Sequence, residues 1–424
     1  MRTTLPSPGQ PGNAEKTFVV FVLLLSLGTF MNLTVTGPVE TQNMGMVGMQ
    51  ILWSLLYLVT LALYIRSCSR PVRQLLTVLP VITIVVFAFA SIFWSQAPAL
   101  TARRSAALGM TLLFGVYFAS RFSVKEQLRF LAWGFGVCIL CSFMFELLGL
   151  NPSEGIPGWY GVFYHKTELG RNMTLSAIVF LFWKKVEPEH RGLARTGFLA
   201  SVVLILLSRD MTSLVVLVIV MALLSYLQWA LKGRSLRWAM AGIALLLTIG
   251  SFSVLWVTAH LEAITSFLGK DPMLTGRVPL WILSSVMALR QPWLGYGYSA
   301  FWLPDETYVQ RIWSILKWEP PHAHNGFLEL WLELGVVGVG LFLLVFSRYI
   351  IKTLAFLRSN SEPWAAWPAT FLLFLFLANL TESCFLVSNS AYLILYVAVA
   401  ATMYKSRNEI GVRTTTGTLE THCA

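Results

Sequence analysis

Two clusters in this 424-residue chain bring a fixed cation and titratable bases into one polar segment. Thr275-Gly276-Arg277 lies in that segment and His322-Ala323-His324-Asn325 closes it, so a guanidinium and two imidazoles share the stretch from about His260 to Asn325. Arg277 precedes Val278-Pro279 and the apolar run from Leu280 to Leu289, which Arg290-Gln291-Pro292 ends. Proline in the first turn and another just past the end predict a helix of about three turns. Such a helix is too short to span a bilayer and should lie at its interface or fold back on a bundle. At its N-terminus, free amides and the helix dipole favour an anion, and a guanidinium adds a bidentate fork for phosphate. An arginine that merely anchors an interfacial helix is the alternative.

Asn325 is suited to cap a helix running Gly326-Phe327-Leu328-Glu329 onward, which puts His322 and His324 just before a helix N-terminus. The positive dipole end should lower an imidazole pKa and keep the ring neutral, able to take a proton. His322 and His324 could supply two metal ligands, but no third His or Cys lies at ligand spacing. The chain has only three aspartates, Asp210, Asp271 and Asp305, and no Asp-x-Asp. No metal and no cofactor are expected. Nine aromatic residues from Trp281 to Trp318 crowd the same segment, and such rings serve membrane interfaces as well as sugar faces.

The elements that position these groups are membrane helices. Only 12% of residues are charged and the mean hydropathy is +0.67, against roughly 25% charged in ordinary soluble domains. Apolar runs begin near Thr17, Met46, Leu75, Arg104, Leu128, Arg171, Arg195, Met211, Leu236, Asn325, Trp364 and Ser388. The fold class is therefore all-α, a polytopic bundle of about twelve spans with one large loop holding short interfacial helices. Residues 1–16 form a tail, 17–259 spans one to nine, 260–324 the loop, 325–404 spans ten to twelve and 405–424 a disordered tail.

With the N-terminus inside, 21 of the 31 Lys and Arg fall on the cytoplasmic side, and the long loop faces outward. Arg103 and Arg104 run against that bias. The net charge of +11 is explained by these scattered loop cations, so nucleic acid is not a partner. None of the five cysteines implies a disulfide framework or a redox pair. Two more polar groups then face outward: Tyr164-His165-Lys166-Thr167-Glu168 with Arg171, and Ser208-Arg209-Asp210. A charge at such depth costs about 2.5 to 3.5 kcal/mol and marks a site or a buried pair. The plainer readings are a self-neutralising Arg209 and Asp210 pair, and interfacial anchoring by Lys166 and Arg171.

These residues resemble the O-antigen ligase and Wzy-type polysaccharide polymerase superfamily, and more closely its exopolysaccharide-polymerase branch. The resemblance is carried by Thr275-Gly276-Arg277 with Trp281, Pro292-Trp293-Leu294-Gly295-Tyr296-Gly297 with Phe301-Trp302, and His324-Asn325 with Leu328 and Gly335. Tyr164-His165-Lys166, Ser208-Arg209 and Thr381-Glu382-Ser383 match its other outward motifs. The matching positions run from roughly Gly161 to Ser383.

The resemblance implies a metal-independent, inverting glycosyltransferase in the bacterial inner membrane, its active site facing the periplasm. Its donor would be an oligosaccharide on undecaprenyl pyrophosphate. Arg277 and Arg209 would hold the pyrophosphate and His324 would act as base on the acceptor, with His165, Lys166, Arg171, His322 and Trp281 as substrate contacts. Thr167 stands where the family usually has Asn, which puts a direct role for Lys166 in doubt. The implied acceptor is a lipid-linked repeat unit, or lipid A-core if the protein is a ligase. Membrane lipids and export and chain-length proteins are the other implied partners. A transporter or flippase of lipid-linked glycan is the alternative of another class.

Overall fold

The computed structural model describes residues 10–29, 39–67, 71–150, 158–231 and 277–404, with a few positions between 237 and 249. Most of the ninth apolar run, the first part of the long polar stretch with Thr275 and Gly276, and the C-terminal tail lie outside the described residues. Among the described residues every regular element is helical.

The helices are α1 (Asn13–Ser26), α2 (Val39–Ser67), α3 (Pro71–Phe93), α4 (Pro98–Arg121), α5 (Val124–Leu147), α6 (Lys166–Val186), α7 (Arg191–Ser208) and α8 (Met211–Leu231). After the undescribed stretch come α9 (Arg277–Arg290), α10 (Thr307–Leu316), α11 (Gly326–Ser359), α12 (Trp367–Ala378) and α13 (Ala391–Tyr404). Six of these are long and apolar enough to cross a membrane: α2, α3, α5, α7 with its preceding turn, α8 and α11. The protein is thus a multi-pass membrane protein; among the described residues six helices meet the length and composition of a span, where hydropathy predicts twelve over the chain. The difference has a physical cause. Helices α4 and α6 have the length but carry charges such as Arg103, Arg104, Lys166, Glu168 and Arg171, while α1, α12 and α13 are shorter than the ~20 residues a bilayer core requires.

Local signals set the helix ends. Ser123 and Glu126 form a capping box at the start of α5, each accepting from the other's backbone N–H. Pro98 opens α4, where its missing N–H costs no hydrogen bond. Small residues let α6 and α7 approach closely: Ser176 and Ser201 share a hydrogen bond of 2.8 Å.

Two apolar clusters result. The larger fills the helix bundle. The smaller lies under the polar segment, where Leu280 and Met287 of α9, Ile312 of α10 and Leu332 of α11 meet Tyr296 and Phe301. Gly335 makes that docking possible. Its φ of 67° kinks α11, and a Cβ there would sit 2.1 Å from the Trp293 carbonyl oxygen. The Leu332 and Glu333 carbonyls accept instead from Tyr296 (2.8 Å) and Gly297 (2.9 Å), fastening the 292–297 turn to the helix. The short helix predicted from Pro279 and Pro292 is therefore present as α9, folded back against α11.

Candidate active site

The centre of the polar constellation is Glu382, on the loop between α12 and α13. Asn379 shapes that loop: its side-chain oxygen accepts from the backbone N–H groups of Cys384 (2.7 Å) and Phe385 (3.0 Å). Its carbonyl accepts from Gly326 N–H at 2.8 Å, and the Asn325 amide donates to the Leu380 carbonyl at 3.3 Å. The Glu382 loop is thereby tied to the first turn of α11, where the histidines stand. Asn325 is the expected N-cap, its Oδ1 accepting from Phe327 N–H (3.0 Å) and Leu328 N–H (3.1 Å).

The carboxylate joins three separate elements. Its Oε1 accepts from Arg277 Nη2 at 2.6 Å, while its Oε2 lies 3.2 Å from His324 Nδ1 and 3.5 Å from Arg171 Nη1. Burial by itself would raise the Glu382 pKa. The hydrogen bond with His324 and the charges of Arg171 and Arg277 outweigh it and hold the carboxyl well below the usual carboxylate range. An ionised carboxylate only accepts, so His324 Nδ1 is the donor in this contact and Nε2 is the ring nitrogen left for other partners. His324 also holds a φ of 49°, a left-handed strain worth about 1 to 3 kcal/mol that persists only where surrounding contacts enforce it.

His322 supports this base. The two imidazole rings are 4.1 Å apart and His322 Nδ1 accepts from the His324 backbone N–H at 3.2 Å. Burial, and then the neighbouring His324, push the His322 pKa down to about 3. Trp281 sits behind the pair: its indole N–H donates to the Ala323 carbonyl at 3.0 Å. On the other side of that turn, Ala323 N–H donates to Glu329 at 2.6 Å.

The remaining predicted residues stand around Glu382. Arg171 is nearly buried, its Nε donating to the Tyr392 hydroxyl at 3.2 Å and its guanidinium lying over the Tyr392 ring. His165 caps α6 by accepting from Thr167 N–H at 3.3 Å. Its pKa is lowered chiefly by burial, with Glu382 opposing and His324, Lys166 and Arg277 assisting. Gly158 brings Lys166 and the α7–α8 turn together. At its φ of 127° a Cβ would lie 2.4 Å from the Ser208 carbonyl oxygen and 3.3 Å from Lys166 Cδ, so no larger residue fits. Arg209, the left-handed cap of α7, is exposed at this rim, and no ion pair joins it to Asp210 among the described residues. Asp210 instead accepts from Ser213, and its carboxyl is pushed up by burial against the opposing pull of Ser213 and Arg277. Arg171, Asp210, Thr381 and Glu382 line one narrow cleft.

Glu382 also supplies the third donor that local spacing around His322 and His324 lacks, and the three could reach a common metal ion. The charges do not fit one. A divalent cation here would face Arg171 and Arg277, both already paired with the only carboxylate of the set. Two guanidiniums, an ionised carboxylate and an imidazole form a site suited to an anion and a proton transfer.

Sequence reasoning placed Thr381-Glu382-Ser383 among the outward motifs but gave Glu382 no role. A signal was present, since Glu382 is the one charged residue between Glu362 and Lys405. An ionisable group isolated in apolar sequence marks function.

Fold and site together define a helical membrane protein with a polar centre of two arginines, a glutamate and two histidines. Residues 196–343 match the O-antigen ligase family, a range that holds Arg209, Arg277, His322 and His324. Over 354 residues the chain is 26% identical to the exopolysaccharide production protein ExoQ of Rhizobium meliloti strain 1021, covering 81% of this chain and 78% of that protein. It is 23% identical over 281 residues to a candidate polysaccharide ligase of Rickettsia felis, covering 54% of this chain and 68% of that one. A similar protein of Rickettsia typhi is 22% identical over 285 residues. The resemblance drawn from the motifs, to O-antigen ligases and polysaccharide polymerases with an exopolysaccharide relative, therefore extends along most of the chain.

Proposed function

We infer that the protein is a glycosyltransferase that joins lipid-linked oligosaccharide repeat units into exopolysaccharide. The observation that carries this reading is the shared carboxylate of Glu382, which holds Arg277 and His324 against each other. In the reaction, Arg277 leaves or shares Glu382 to bind the donor pyrophosphate, with Arg209 at the rim as the second cation. The acceptor hydroxyl attacks the anomeric carbon and passes its proton to His324 Nε2. The anomeric C–O bond breaks with its electron pair, and the undecaprenyl pyrophosphate leaves with inversion at carbon.

Glu382 fixes the His324 tautomer and stabilises the imidazolium as it forms, the role a carboxylate plays beside a catalytic histidine. Charge on the leaving pyrophosphate is met by arginines, so the reaction needs no metal. The polar constellation faces the periplasm, the chain crosses the inner membrane twelve times, and export and chain-length proteins receive the product. His165, Lys166, Arg171, His322 and Trp281 order the site around the substrates.

The test is to supply purified protein with lipid-linked repeat units alone. A ladder of products is expected, and strict dependence on added lipid A-core would show a ligase instead. The flippase reading is tested with substrate already on the active side: full glycosyl transfer by both Arg277→Ala and His324→Ala would sink the enzymatic assignment.

A further inference from the structure

The tryptophans around the histidine turn divide into two groups. Trp281, Trp302, Trp313 and Trp331 each commit the indole N–H to the fold, donating respectively to the Ala323 carbonyl, the Glu329 carboxylate, the Pro320 carbonyl and the Pro292 carbonyl. These rings hold the loop. Trp318 differs in three ways. It is exposed, its indole N–H has no hydrogen-bond partner among the described residues, and its ring centroid lies 5.8 Å from that of His324 at an interplanar angle of 47°. Trp293 is exposed as well but makes no ring contact with a site histidine. Trp318 is therefore open to a ligand at the position where the base works.

The backbone holds Trp318 firmly there. Helix α10 ends at Lys317, whose left-handed φ of 63° turns the chain and whose N–H donates to the Trp313 carbonyl at 2.8 Å. Pro320 and Pro321 follow within three residues, and each fixes its own φ. A ring on such a segment loses little freedom when it binds.

His324 turns Nδ1 toward Glu382, and through it toward Arg277 and Arg171, where an anionic leaving group would be held. The same imidazole ring lies against that of Trp318. We propose that Trp318 is the platform of the acceptor subsite: it stacks against the C–H face of the acceptor sugar ring and brings that sugar's attacking hydroxyl to His324 Nε2. Indole suits this ligand because its electron-rich face attracts the weakly positive C–H bonds of a pyranose, and its unpaired N–H can donate to a ring substituent. Trp318 touches substrate without entering the chemistry, so it sets affinity and orientation and not the proton transfer.

The proposal rests on the glycosyl-transfer reading above, and one experiment separates the two. Full-length enzyme receives two lipid-linked glycans from the producing cells, a single repeat unit and an elongated chain. One is labelled and held saturating while the other is varied, and the roles are then reversed. Trp318→Ala should raise KM for one partner only, by roughly tenfold or more, while kcat at saturation stays within about threefold of wild type. Trp318→Phe, which keeps an aromatic face, should recover most of the affinity. Unchanged KM for both partners, equal loss for both, or failure of Trp318→Phe to improve on Trp318→Ala overturns the acceptor platform while leaving the enzyme reading intact. Wild-type protein that transfers no glycan overturns the parent reading and this one with it.

Discussion

The two ends of helix α6 each hold a buried glutamate, and they are built differently. Beyond its C-terminus, Glu187 accepts from Trp183 Nε1 (2.9 Å) and from Arg129 Nε (2.6 Å), with His190 3.4 Å away. That is one carboxylate for one guanidinium. Burial would raise its pKa, but the hydrogen bonds from Arg129 and Trp183 carry it below its ordinary value. Near the N-terminus of α6, Glu382 faces two guanidiniums and an imidazole. Around it Arg171 and Arg277 stand against the one carboxylate of Glu382, and burial biases nearby Glu168 and Asp210 toward their neutral forms. A balanced pair is a structural clasp. An excess of preorganised cations beside a base is what a site for a polyanion requires, because binding then needs no rearrangement of charge. The comparison also shows why the site's arginines keep a resident carboxylate. Unpaired, they would repel each other in a partly desolvated pocket.

This contrast can be broken first at the Glu382 end. Removing the proposed base or the proposed phosphate cation, by His324→Ala or Arg277→Ala, should lower kcat for chain extension by roughly 10²- to 10³-fold. Arg277→Lys should not restore it, since lysine lacks the planar fork. Steady-state extension assays decide this, and activity near wild type in either alanine variant would remove the catalytic role of that residue.

A smaller loss is expected from Glu382→Gln, which keeps the shape but neither fixes the tautomer nor stabilises the imidazolium. Extension should fall roughly 10- to 100-fold. At the far end, Glu187→Gln should leave extension within about threefold while lowering stability by about 1 to 3 kcal/mol, read as a lower melting temperature. If Glu187→Gln lost activity as Glu382→Gln does, the distinction between clasp and site would fail.

Acid should act on both ends through stability, and on the histidine turn through His322. Its folded pKa lies below the unfolded value of about 6.5, so as pH falls below about 6.5 the unfolded chain takes up a proton that the folded chain refuses. Stability is therefore full above that pH and declines down to about 3, where folded His322 protonates. Glu382 and Glu187, both depressed, add to the decline below about 4.5 as unfolded carboxyls protonate first. His322→Gln should flatten the melting-temperature slope between pH 6.5 and 5, by up to about 1.4 kcal/mol per pH unit. An identical slope in the variant would exclude His322 as its source.

The smallest effect is the one expected of chelation. Because any divalent ion held by His322, His324 and Glu382 would sit beside Arg171 and Arg277, extension should continue within about twofold after exhaustive treatment with a chelator. Loss restored by added metal would reverse that conclusion.

The features legible in the sequence are the local ones. The Asn325 cap, the α9 helix bracketed by Pro279 and Pro292, and the placing of His322 and His324 before α11 follow from backbone hydrogen bonding within a few residues. Hydropathy likewise marked a membrane protein, because a bilayer selects for long apolar helices whatever their neighbours. The span count did not follow as directly. Hydropathy counts the runs that begin at Arg104 and Arg171 as spans, but their helices carry charges such as Arg103, Glu168 and Arg171, and Arg171 finds its partners only in the folded bundle.

What only the tertiary structure decided is the pairing. Glu382 lies 58 residues from His324 and 105 from Arg277, separations at which no periodicity links residues. The sequence by itself determined that a cation, imidazoles and an isolated acidic motif exist, and which helix ends carry the first two. That one carboxylate joins them, orients the imidazole and leaves Trp318 open beside it depends on how α6, α9, α11 and the α12–α13 loop pack. Those contacts are set by side-chain volume and long-range docking, which no local pattern encodes.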